Sequence, residues 1–159
     1  MRCLIAQLDA ESVVNANSQF WEQMLAMRLE TIPAASQFCV GAGHLLATVN
    51  LSGRWTGAIE VRMAGGLAYA ATAAMMMQPV ETVGEADVLD ASKEIANMIA
   101  GVIKSSLPRP CVMTVPDSAV EPQAFCGAPR TTNTLVVAFR HGSGDMMVWI
   151  REQACQPLP

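Results

Sequence analysis

The residues from His44 to Arg62 alternate in side-chain character with a period of two and fold back once, which commits this part of the chain to a β-hairpin. Leu45, Ala47, Val49 and Leu51 point one way, and Leu46, Thr48 and Asn50 the other. Ser52 and Gly53 turn the chain. The returning strand sets Trp55, Gly57, Ile59 and Val61 against Thr56, Ala58, Glu60 and Arg62, the pattern of an antiparallel pair covered on one face. Gly57 within it implies a neighbour that approaches closely. A second pair of strands, TLVVAFR and MMVWIR, flanks HGSGD and is rich in β-branched and aromatic residues.

Helical periodicity fills the segments between. Asp9 is a suitable N-cap for a helix through about Arg28, with Val13, Phe20, Trp21, Met24 and Leu25 on one face, and Pro33 ends the region. Gly65 and Gly66 precede LAYAATAAMMM, a short helix of small residues that stops before Gln78-Pro79. Its three methionines, Met75 to Met77, read as core filling ahead of a flexible partner-binding patch. After a third helix, CVMTV forms a short strand that stops at Pro116. Asp117 to Thr132, rich in Pro, Gly and Ala, reads as an irregular connection, and the tail EQACQPLP as a surface segment. Strands paired through hairpins with helices segregated between them imply an α+β fold, an antiparallel sheet with helices on one face. At 159 residues, 52% of them hydrophobic, residues 1–159 suit a single domain with a substantial core.

The third helix, Val88 to Lys104, carries the information about function. Val88, Ile95, Ala96, Ile99, Val102 and Ile103 form a broad apolar face with Ser92 among them. Asp90, Glu94, Asn97, Gly101 and Lys104 follow at steps of four, three, four and three, and so line the opposite side. A solvated stripe is the plainer reading of that spacing, since Glu followed by Lys is ordinary on an exposed helix. Two residues resist it. Asn97 competes with its own backbone for hydrogen bonds, and a glycine such as Gly101 costs about 1 kcal/mol relative to alanine inside a helix. A helix that gives up stability on its outward face suggests close docking of a partner.

Other classes have less support. The net charge of -4 and the absence of a Lys/Arg cluster argue against nucleic acid. The run from Gly65 to Met77 is too short to span a membrane, and the N-terminus lacks a signal-peptide core, so a cytoplasmic protein is expected. Cys3, Cys39, Cys111, Cys126 and Cys155 are odd in number with no CxxC pair, which agrees with a reducing compartment and small buried side chains. No metal site is expected. His44 and His141 stand apart without a nucleophile motif and read as surface or capping residues. GAGHLL is not a dinucleotide fingerprint, and Gly65-Gly66 lacks the lysine of a P-loop.

Three blocks, in order, resemble the CheC/CheX family of chemotaxis phosphatases, and its CheX branch in particular. LSGRWTGAIEVRM resembles the family's LxGxxxGxvxL signature; DASKEIANMIAGVIKSSL resembles its D/S-xxx-E-xx-N helix with a small-Gly-Lys run; MTVPDSAV resembles the strand that ends in the motif proline. Pro116 follows Asn97 at a shorter spacing than the family motif usually has. The resemblance implies a CheC/CheX-like fold and an enzyme that removes the aspartyl phosphate of a CheY-type response regulator receiver. It implies that Asn97 orients the attacking water and that Glu94 pairs with the receiver's lysine. Asp90 fills the first motif position, and Asp90, Gly101 and Lys104 would contact the partner. No cofactor of its own is implied; the required Mg²⁺ would belong to the receiver. A single motif copy favours the CheX-like branch, with a homodimer formed through the sheet. The alternative is a non-catalytic receiver-binding or adaptor module, because the same fold serves flagellar switch proteins. A small-molecule or metal enzyme would need a convergent polar pocket, of which the sequence gives no sign.

Overall fold

A computed structural model describes residues 4–33, 37–127 and 131–153. The first helix, α1 (Ala10–Leu25), is capped by Asp9, whose carboxylate accepts from the backbone N–H groups of Glu11 and Ser12. It ends three residues short of the expected Arg28, because Ala26 turns left-handed and its N–H bonds back to Glu22. Val13, Asn17, Trp21 and Leu25, at steps of four, are its buried side. Met24, expected on that face, is 63% exposed. Two short strands follow, β1 (Glu30–Ile32) and β2 (Cys39–Val40).

The expected hairpin is β3 (His44–Gly53) and β4 (Gly57–Met63), paired from Leu45↔Met63 to Leu51↔Gly57. Gly57 sits where a Cβ would strike the Arg151 carbonyl and, at 2.5 Å, the Trp55 ring, so the close approach inferred from its position is real. Then come α2 (Gly65–Met76) and α3 (Glu85–Ser105). Beyond them lie β5 (Cys111–Met113), β6 (Asp117–Glu121), β7 (Phe125–Cys126), β8 (Thr134–His141) and β9 (Gly144–Glu152). The stretch read as an irregular connection therefore contains two strands. DSAVE carries no inward alternation, because its pairing is decided by the free edge of β3.

All pairs are antiparallel, in the order β1-β8-β9-β4-β3-β5, with β6 extending the β5 edge along His44 to Thr48 of β3. The three helices cover one face of this sheet, as expected for α+β. Leu45, Val49, Ile59, Val61, Val148 and Ile150 meet Trp21, Leu67, Ile95 and Ile99 in the main core.

The other face departs from expectation. β2 and β7 form a separate two-stranded arm over β8 and β9, where Phe38, Val40, Val136, Ala138 and Met147 make a second apolar cluster. The arm is closed by a disulfide between Cys39 and Cys126, directly opposed in register at a Cα separation of 4.2 Å. Both are exposed, so the reading of the cysteines as buried and unbridged is corrected for this pair; Cys111 alone among the described cysteines is free, and it is buried. Cys3 and Cys155 lie outside the described residues. Their 87-residue separation gives Cys39 and Cys126 no sequence signature, since only strand pairing makes them neighbours.

Polar groups near this arm are also buried where a solvated face was expected. Glu60 is 8% exposed and pairs with Arg151 and, at 3.9 Å, Arg62. His44 is 1% exposed, so of the surface and capping roles expected for it the surface one is corrected: its Nδ1 donates to the Gly41 carbonyl at 2.9 Å and its Nε2 accepts from Arg62 at 2.8 Å. Arg62 stacks on Phe125 of the arm, 4.1 Å from the ring centroid. His141 behaves as expected, its Nδ1 capping the hairpin turn by accepting from the Ser143 N–H.

Candidate functional site

The site is built on α3, which is longer at both ends than the periodicity implied. Gly84 is its N-cap, and the Asp87 carboxylate accepts the Gly84 N–H at 3.0 Å. Glu85 and Asp87 lie in the first turn and Lys104 in the last, each the sign that complements the helix dipole. Val88, Ser92, Ile95, Ala96, Ile99 and Ile103 are buried, and the Ser92 hydroxyl satisfies itself on the Val88 carbonyl. Val102 is 42% exposed, against expectation. It borders a recess that it shares with Ser12, Val13 and Ala16 of α1.

The sheet and the neighbouring helices α1 and α2 hold this helix in place. Its buried stripe rests on β3 and β4. At the edge of the same sheet, Ser118 of β6 donates to the Leu89 carbonyl at 2.8 Å. The outward stripe is thus displayed by a helix fixed along its length. A rigid element of this kind positions side chains better than a loop does.

Along the stripe, the five residues singled out from sequence differ in state. Asp90 is exposed and tied to Lys93 at 3.2 Å. Glu94 is exposed and Asn97 half-buried. Neither makes a side-chain hydrogen bond or ion pair with another described residue. Gly101 faces open space, with nothing within 4 Å of where a Cβ would stand. Lys104 is half-buried.

Asn97 lies between two shallow recesses. Upstream, Asp87, Asp90 and Glu94 border a recess of about 340 Å³ with Met75 and Met76 of α2. Downstream, Gly101 and Lys104 border one of about 740 Å³ with Ser105, Arg109, Pro110, Cys111 and Met113. The methionines correct the expectation of core filling. Met75 packs against the core, but Met76 is 39% and Met77 92% exposed, beside the acidic end of the stripe. Arg109 was missed because it lies outside any periodic segment. The structure places Pro116 between β5 and β6, half-buried.

The described residues contain no group of three or more His, Cys, Asp or Glu placed to hold a metal ion, and no helix among them is long and apolar enough to cross a membrane. The arrangement offers a free carboxylate and a free amide, three residues apart on one exposed face. That is suited to a docked partner and a positioned water, and not to an enclosed small molecule.

A family model described as chemotaxis phosphatase CheX matches residues 45–140, which include the β3–β4 hairpin, the whole of α3 and most of β8. Among solved structures, the chain is similar to a chemotaxis protein CheX from Desulfovibrio desulfuricans, with a TM-score of 0.69 at 18% identity over 91% of this chain and 98% of that one. It is similar to CheX from Vibrio vulnificus, with a TM-score of 0.67 at 16% identity over 90% and 95%. It is also similar to a chain of the CheX–CheY–BeF3–Mg²⁺ complex from Borrelia burgdorferi, with a TM-score of 0.66 at 16% identity over 90% and 96%. No curated protein sequence matches the chain.

Proposed function

This chain belongs to the family of the chemotaxis phosphatase CheX, and we propose that it hydrolyses the aspartyl phosphate of a CheY-type receiver with Glu94 and Asn97 as the working pair. The observation that carries the assignment of residues is their freedom: on a helix fixed by the sheet, its β6 strand included, these two polar side chains point outward with no partner among the described residues.

An acyl phosphate needs little covalent help to hydrolyse, so catalysis consists mainly of placing water in line with phosphorus and stabilising charge. Asn97 does this without titrating. Its carbonyl oxygen accepts a hydrogen bond from the water and its NH₂ group donates to a neighbouring oxygen, where a carboxylate would face the phosphoryl charge directly. Glu94, about one turn away on the same face, pairs with a lysine of the receiver and fixes the angle at which Asn97 enters. Mg²⁺ neutralises phosphoryl charge in this chemistry. It belongs to the receiver in this reading, and the similar Borrelia burgdorferi complex contains both CheY and Mg²⁺.

The reading places the protein in the cytoplasm with its receiver. It also includes the homodimer that the family resemblance implies. The β5–β6 sheet edge, with Val112 at 62% and Val115 at 90% exposure, is available for one. A solution mass that stays monomeric as concentration rises removes the dimer from the reading.

The deciding experiment follows loss of aspartyl phosphate from candidate receivers with Mg²⁺ present. Wild type accelerates it; Asn97→Ala reduces the acceleration on the order of 10²-fold while retaining binding; Glu94→Ala weakens binding as well. Binding of the phosphorylated receiver with no change in its lifetime would replace the phosphatase with an adaptor.

A further inference from the structure

The chain holds 10 Lys and Arg against 14 Asp and Glu. Among the described residues, Arg62, Lys93, Arg140 and Arg151 are in ion pairs. Arg28, Arg54, Lys104 and Arg109 are in none, and the last three gather at one place. Lys104 and Arg109 line the downstream recess, which has no Asp or Glu in its walls. Arg54 lies directly behind: its backbone N–H donates to the Pro110 carbonyl at 2.9 Å, and its guanidinium to the Arg109 carbonyl at 3.5 Å. The upstream recess is the reverse, with Asp87, Asp90 and Glu94 in its walls and no Lys or Arg.

Helix chemistry accounts for part of this. Acids in the first turn and Lys104 in the last complement the dipole of α3. Arg54 and Arg109 are not on the helix, so the dipole gives no reason for them. One lies in the β3–β4 turn and the other before β5, and pairing of Gly53 with Cys111 brings them together. In an acidic protein, three unpaired cations meeting at the end of a catalytic stripe call for an anionic counterpart.

We infer that the Lys104–Arg109 recess, backed by Arg54, receives acidic side chains of the receiver, so that α3 accepts its partner in one direction only. The inference rests on the proposed function and adds the partner's surface chemistry to it. Asn97 and Lys104 are seven residues apart, about 10 Å along a helix. A protein footprint of about 800 Å² per partner is wider than that. A receiver seated on Asn97 therefore covers the recess, and the open space over Gly101 lets it do so. Cations covered without counter-charge are unfavourable, and carboxylates opposite them speed encounter and set the register. The partner thus presents a lysine at Glu94 and carboxylates about 15 Å away along the helix.

The test compares wild type, Arg54→Glu/Arg109→Glu, Arg109→Glu alone and Arg28→Glu. Arg28, remote from α3 beside Glu30 and Arg140, is the control cation. Two quantities are read at low and high salt: kcat and KM for receiver dephosphorylation, and Kd for the receiver loaded with beryllium fluoride and Mg²⁺. The double variant raises KM and Kd roughly tenfold at low salt, with kcat within about twofold and a flatter salt dependence. Arg109→Glu alone, which removes no side-chain bond, shows a smaller effect of the same kind, and Arg28→Glu shows none. Wild-type KM, Kd and salt dependence in the double variant would overturn the inference. So would a loss confined to kcat. If wild type binds the receiver without accelerating hydrolysis, the phosphatase reading fails, and the Kd comparison alone still decides this one.

Discussion

The Ser118 hydroxyl donates to the Leu89 carbonyl at 2.8 Å, joining β6 to the N-terminal half of α3, the half that leads to Glu94. The carbonyl belongs to a helix and can do without a second donor, so the hydroxyl is the group that gains most. Ser118→Ala is expected to cost about 1 kcal/mol. Amide exchange should then rise in β6 and the first turns of α3, and not in β8 or β9. Uniform protection changes across the sheet would show that the bond does not couple the two elements.

Gly101→Ala separates stability from docking. The free protein has room for the methyl group, and the helix gains about 0.5–1 kcal/mol from replacing glycine. If the receiver comes against the helix backbone there, KM for dephosphorylation rises several-fold in the more stable variant. A higher melting temperature with unchanged KM would mean the glycine has no part in docking.

Asp9 gives the stability a pH dependence. Hydrogen bonds from the Ser12 hydroxyl and then from the Glu11 backbone hold its carboxyl below the ordinary 3.8. A depressed folded-state pKa contributes stability that is present above the unfolded value and lost as pH falls through the folded one. Asp9→Asn keeps a cap acceptor but does not titrate. The melting-temperature advantage of wild type over this variant should therefore shrink as pH falls below 3.8. A constant difference across that range would contradict the linkage.

The Cys39–Cys126 bond closes a long loop and holds the arm over Trp149, whose ring lies 6.3 Å from that of Phe125. Dithiothreitol is expected to lower the stability of oxidised wild type by about 2–4 kcal/mol and to shift tryptophan emission to the red. Cys39→Ser should start at the reduced level and not respond. Equal melting curves for the two proteins without reductant would show that the bond does not form in solution.

Periodicity made the two hairpins and all three helices legible, and placed Asp90, Glu94, Asn97, Gly101 and Lys104 on one side of α3. It failed in recognisable ways. Met24 and Val102 sit at apolar positions of their helices but are exposed, Val102 beside a recess between α3 and α1. Glu60 and His44 sit where a half-covered sheet would be solvated, but the arm covers part of that face, where Arg151 and Arg62 pair with Glu60 and Arg62 donates to His44. β6 pairs by backbone alone and so leaves no side-chain pattern.

The sequence by itself determined which side of each regular element turns inward, because a hydrophobic repeat of two or 3.6 residues reports a local geometry. It therefore determined that Glu94 and Asn97 share an outward face. Only the tertiary structure decided what stands beside that face. Gly53 pairs with Cys111, which carries Arg54 and Arg109 to Lys104; β2 pairs with β7, which joins Cys39 to Cys126. Such neighbours come from backbone pairing between distant segments, and no repeat along the chain encodes them.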